Sequence, residues 1–126
     1  MPNQPGSPSE SLETLTAFVR DFVKARDWEQ FHTPKNLAMA LAGEVGELIE
    51  HFQWLTADES RQLMSDPKKA EAVRDELADV CVYCLRLGDV LGIDLAQAIR
   101  AKMAKNAAKY PVEQAKGKAV KYTDLK

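Results

Sequence analysis

Four carboxylates in two pairs of identical spacing are the part of this chain best suited to chemistry. Glu44 and Glu47 stand three residues apart in EVGELIEHFQW, and Glu76 and Asp79 repeat the step in DELADV. Residues three apart on a helix share a face, with Cβ atoms about 5–6 Å from one another. Two such helices packed antiparallel would bring the four acids together. Like charges that close raise one another's pKa, or push the helices apart, unless a cation neutralises them. All-oxygen ligands favour Mg2+, Mn2+ or Ca2+ over zinc or copper.

An ExxE pair taken alone is usually a solvated helix face. Three features separate this one from that default. Gly43 and Gly46 flank the first pair, and glycine inside a helix costs about 1 kcal/mol relative to alanine, which implies close approach by another helix or a ligand. No Lys or Arg lies between Lys35 and Arg61, so Glu44, Glu47 and Glu50 lack basic partners on their own helix. The second pair supplies a matching half, with Tyr83 four residues past Asp79 on the same face.

Other metal chemistries fit less well. A ferritin-type di-iron site requires Glu-x-x-His from each of two helices, and only Glu29-Gln30-Phe31-His32 has that form, ahead of Pro34. Cys81 and Cys84 make a single CxxC in mid-helix and are expected to be buried small hydrophobes.

The elements that position these residues follow from hydrophobic period and stop signals. At 126 residues the chain reads as one domain. Residues 1–8, with three prolines and a glycine, predict a disordered leader. Helix one starts at Ser9 or Ser11 with the stripe Leu12, Leu15, Phe18, Val19, Phe22 and Val23. An aromatic connection, residues 26–32, leads to helix two, which opens on Thr33 as cap and Pro34. Its stripe is Leu37, Leu41, Val45, Leu48, Phe52 and Leu55, and its end is expected just after Trp54. Residues 56–66 are polar, with a short helical turn. Asp66-Pro67 opens helix three, whose stripe is Val73, Leu77, Val80, Cys84, Leu87 and Leu91, with Gly92 as the stop. Asp94 caps helix four, with Leu95, Ala98, Ile99 and Met103 inward and Pro111 at its end. The pattern predicts an all-α four-helix bundle over residues 9–111, followed by a loose basic tail, 112–126.

Net charge is −2, so nothing global points to a nucleic acid polymer or an anionic membrane. No apolar run approaches the roughly 20 residues that span a bilayer, and the N-terminus lacks a basic segment followed by an apolar one. A cytoplasmic protein is expected. Residues 100–126 hold eight Lys or Arg against two acids, which suits an anionic ligand carrying a cation.

Taken together, Glu44-x-x-Glu47, a spacer and Glu76-x-x-Asp79 resemble the signature of the MazG-like all-α nucleoside triphosphate pyrophosphohydrolases. The segment RDWEQFHTPKNLAMALAGEVGELIEHFQW, residues 26–54, is similar to the dCTP pyrophosphatase branch, as is Lys102-x-x-x-Asn106-x-x-x-Tyr110-Pro111. The resemblance spans residues 12–111 and implies Mg2+-dependent hydrolysis of a nucleoside triphosphate between its α- and β-phosphates, with dCTP or a modified dCTP as substrate. It implies Glu44, Glu47, Glu76 and Asp79 as catalytic metal ligands, with Mn2+ as a substitute ion. Trp28, Trp54 and Tyr83 would form the base pocket, and Lys102, Asn106 and Tyr110 would contact phosphates or sugar. A homo-oligomer, dimer or tetramer, is implied too, as is a role in clearing non-standard nucleotides. Where that branch carries a histidine on the first helix, this chain has Val19. The alternatives are a pyrophosphohydrolase of broader base range and a nucleotide-binding helical module without turnover.

Overall fold

Each long helix begins at a side chain that closes its first turn. The Ser11 hydroxyl accepts from the Thr14 amide, Thr33 from Asn36, Asp66 from Lys68 and Lys69, and Asp94 from Gln97. Such caps satisfy amides that have no partner inside the helix. They open α1 (Leu12–Ala25), α2 (Pro34–Glu50), α4 (Pro67–Val90) and α5 (Leu95–Lys109). Pro34 and Pro67 occupy first-turn positions, where a missing N–H costs nothing. Two short helices complete the set, α3 (Ala57–Arg61) and α6 (Val112–Ala115). The computed structural model describes residues 10–126, and the expected disorder of residues 1–8 lies outside them. Among the described residues there is no strand, as the all-α reading predicts.

The chain divides into two compact units, Met1–Ile93 and Asp94–Lys126. In the first, α4 packs against both α1 and α2. The core there is Val23 of α1, Leu37 of α2, Leu63, and Ala70, Val73 and Leu85 of α4. In the second, Tyr110 at the end of α5 meets Tyr122 edge to face at 6.1 Å, with the Lys109 ammonium over the Tyr122 ring. The tail expected to be loose therefore carries α6 and a short 3-10 turn at Tyr122–Asp124.

Several apolar stripes are less buried than their period predicts. Of the α1 stripe only Val23 is buried, and Phe18 is 71% exposed. Leu77 and Leu91 of α4, and Ile99 and Met103 of α5, are exposed as well. Cys81 and Cys84 are also exposed rather than buried. For α4 the reason is arithmetic of faces: it spends one face on α1 and α2, and among the described residues of its unit no further long helix packs on the other.

A polar cluster joins α1, α4 and the connection before α2. Arg86, with 7% exposure, is the buried charged residue among those described. It donates to His32 Nδ1 at 3.0 Å and to Asp89 at 3.1 Å. Arg20 grips Asp89 from the other side with two bonds, 2.9 and 2.7 Å. The Arg20 bonds hold the Asp89 carboxyl below its usual range, so this pairing supports the fold above that range and is lost in acid.

Both α1 and α4 end in Schellman turns. At α1 the Trp28 amide donates to the Val23 carbonyl and the Asp27 amide to Lys24, with Asp27 at φ 54°. At α4 the Ile93 amide donates to Gly88 and the Gly92 amide to Asp89, with Gly92 at φ 69°. A Cβ on Gly92 would meet no atom within 4 Å, so the cost of a side chain there is backbone strain alone. Gly92→Ala is expected to lower unfolding free energy by about 1–2 kcal/mol; urea denaturation showing no loss would mean the turn relaxes.

Candidate metal centre

Glu44 and Glu47 lie on α2, and Glu76 and Asp79 on α4, the two helices packed most extensively in the first unit. One carboxylate oxygen from each of Glu44, Glu47 and Glu76 falls in a group whose members lie within 4.8 Å of one another. The Oε2 atoms of Glu44 and Glu76 are sealed from solvent and have no hydrogen-bond partner. Among the described residues the ion pairs are Arg20–Asp89, Arg86–Asp89 and Arg61–Asp58. No cationic side chain pairs with the cluster.

The electrostatic consequence is large. Loss of hydration, then the neighbouring Glu47 and Asp79 charges, raise the Glu44 pKa from 4.5 to about 7. Glu76 is raised for the same kinds of reason, desolvation first and Glu47 next. Asp79 stands outside the tight group of three, yet its charge acts on both. Glu50, on the exposed end of α2, is not in the group. Buried unpaired carboxylate oxygens are costly, and a hard divalent cation matches this all-oxygen donor set.

Around the acids the sequence expectations divide. A Cβ on Gly43 or Gly46 would meet nothing within 4 Å, so among the described residues no helix approaches closely enough to explain those glycines. The helix carrying Glu44 and Glu47 stops at Glu50, with His51 as cap, not after Trp54. Beyond Glu50 the regular ladder gives way to turns, with the His51 amide bonding to Leu48 and those of Phe52 and Gln53 both to Ile49. Tertiary packing sustains helices, and with Trp54 86% exposed it has run out. Trp54 thus lies on a turn beyond the helix.

Trp28 follows α1 in its Schellman turn, half exposed, its ring edge-to-face with Phe22 at 5.8 Å. Tyr83 is half-buried on α4. Lys102 and Asn106 lie on α5 of the second unit, where the Asn106 amide reaches the Met103 sulfur at 3.8 Å. Tyr110 is the helix cap, no longer helical, so it does not continue that face. The Arg20–Asp89–Arg86–His32 cluster went unread in the sequence. Its one signal was an arginine inside the apolar run CVYCLRLGDV.

Comparison with known proteins bears on the family and the fold. A profile described as the MazG-like family matches residues 40–125. The chain is 45% identical to dCTP pyrophosphatase 1 of Mus musculus over 119 residues, 94% of this chain and 70% of that protein. Its identity to dCTP pyrophosphatase 1 of Homo sapiens is 42%, with the same coverage. The crystal structure of a pyrophosphatase from Archaeoglobus fulgidus superposes with a TM-score of 0.75 at 40% identity, covering 83% of this chain and 96% of that one.

The cluster predicts a pH-dependent response to cations. Glu44 holds its proton to about pH 7 when folded but loses it near 4.5 when unfolded. Over that interval the folded state binds more protons, so its contribution to stability declines as pH rises. A divalent cation bound at these oxygens would take the place of that proton. Millimolar Mg2+ should therefore raise the thermal midpoint more at pH 8 than at pH 5.5; equal shifts would mean that cation and proton do not compete for these oxygens.

Proposed function

The chain belongs to the MazG-like family, and on that premise we propose that it hydrolyses dCTP or a modified dCTP between the α- and β-phosphates. The products are the monophosphate and pyrophosphate. The observation that carries this reading is the group of Glu44, Glu47 and Glu76 oxygens from two helices, in which Glu44 Oε2 and Glu76 Oε2 are sealed and unpaired. Glu44, Glu47, Glu76 and Asp79 hold the cation, Mg2+ with Mn2+ as a substitute. Bound there, it would neutralise phosphate charge and orient the triphosphate.

Hydrolysis requires a water to lose a proton as the bridging P–O bond breaks and pyrophosphate departs. A carboxylate of the cluster takes that proton, a task suited to a group whose pKa has been lifted towards neutrality. Trp28 and Trp54 offer flat surfaces on which a base stacks, worth about 1–3 kcal/mol per base, and Tyr83 serves the same base. Lys102, Asn106 and Tyr110 supply donors for phosphate or sugar oxygens. The reaction clears unwanted nucleotides from the cytoplasmic pool before polymerases use them.

Assembly completes the reading. Phe18, Ile49, Leu77 and Leu91 are each half or more exposed, and a monomer seldom leaves so much apolar surface in water. Copies of this chain cover these faces in a dimer or tetramer.

With Mg2+ and a panel of nucleoside triphosphates, monophosphate and pyrophosphate should appear in equal amounts, dCTP giving the highest kcat/KM. Glu47→Gln should lower kcat by about 100-fold or more; turnover surviving intact would sink the metal assignment, and comparable rates across bases would favour the broad-range reading. Light scattering should find an oligomer whose mass falls to that of one chain in Leu77→Glu; a monomeric parent protein would remove the assembly from the proposal.

A further inference from the structure

Arg86 interrupts the apolar run of α4 and is buried there. Replacing a buried ionic group by a well-packed apolar one is often neutral or stabilising. A fold that needed only packing at this position would do as well with leucine or methionine. The arginine instead turns its guanidinium on two partners, with Nε donating to His32 Nδ1 and a terminal nitrogen to Asp89. Arg20 holds Asp89 with two further bonds, so the acceptor that orients Arg86 is itself fixed.

This arrangement decides the state of the imidazole. A guanidinium has donors only. His32 Nδ1 must therefore be the lone-pair nitrogen, and the neutral ring carries its proton on Nε2. Among the described residues no group hydrogen-bonds Nε2. Burial and the adjacent Arg86 charge both hold the His32 pKa below its usual value, so the neutral ring is favoured at pH 7.

Position gives the arrangement its purpose. Arg86 lies seven residues beyond Asp79, two turns along α4 on the same face and about 10 Å away. His32 closes the segment that begins at Trp28. A nucleotide with its phosphates at the acids can span that distance with its sugar and base. We propose that Arg86, clamped by Asp89 and Arg20, is a positioning residue for nucleotide binding: it fixes the Nε2–H tautomer of His32 and anchors the Trp28–His32 segment to the helix that carries Glu76 and Asp79. The proposal rests on the nucleotide reading of the acidic site.

The test separates the two. The chain has two histidines, so 15N-histidine spectra can be assigned with a His51→Gln variant. The wild-type protein should show His32 in the single Nε2–H form, and addition of dCMP should shift its resonances. Arg86→Met leaves Asp89 paired with Arg20; it should mix the tautomers and raise KM for dCTP about tenfold while kcat changes less than about twofold, with Arg86→Lys recovering part of the loss. An Nδ1-protonated His32, or mixed tautomers with unchanged KM, overturns the proposal. If Arg86→Met does not fold, Arg20→Gln at the exposed end should raise KM about threefold, and an unchanged value overturns it equally. Turnover of dCTP with His32 unmoved by dCMP defeats the positioning role alone. A His32 shift in a protein that hydrolyses no nucleotide defeats the proposed reaction and leaves the positioning role standing.

Discussion

Repulsion between carboxylates that face each other across the α2–α4 contact is the constraint that organises this molecule. Hydrophobic contact draws the two helices together, while Glu44, Glu47 and Glu76 are set where that contact makes their charges expensive. Among the described residues no basic side chain relieves the conflict, and it appears instead as the raised pKa of Glu44 and Glu76. Sealing two oxygens and pairing neither gives up stability in exchange for affinity towards a hard positive ion.

Much of this was legible in the sequence, and for local reasons. Caps such as Thr33 before Pro34, Asp66 before Pro67 and Asp94 act within one turn, so their residue types suffice to place helix starts. The three-residue step of the acids fixes their shared face in the same way. What failed was whatever depended on partners distant in the chain. The period of Phe18, Leu77 or Met103 marks an apolar face but does not say what covers it, and these side chains stay exposed. The end of α2 shows the same limit: Phe52 and Trp54 continue the apolar pattern, yet the helix stops where packing stops.

The polar cluster around Arg86 illustrates the opposite failure. Its four members are scattered over α1, the connection and α4, with no spacing rule to join Arg20 or His32 to Asp89. The burial of Arg86 is what sets the cluster apart, because the same residues wholly on a surface would amount to a weak ion pair. The aromatic connection is therefore held from two sides, by the Schellman turn that precedes Trp28 and by the bond from Arg86 that follows it at His32.

The stops at both ends of α4 have a kinetic meaning for the acids. Helices fray from their termini, so amides near the ends exchange with solvent through small, frequent openings, while those in the middle wait for larger ones. Glu76 and Asp79 stand near the middle of a helix that runs from Pro67 to Val90, and Glu44 is well inside α2. Glu44, Glu76 and Asp79 are set back from end fraying, while Glu47 lies in the last turn of α2. A ligand held by Glu44, Glu76 and Asp79 would be shielded from the unravelling of a terminal turn, and of the four acids only Glu47 would move with it.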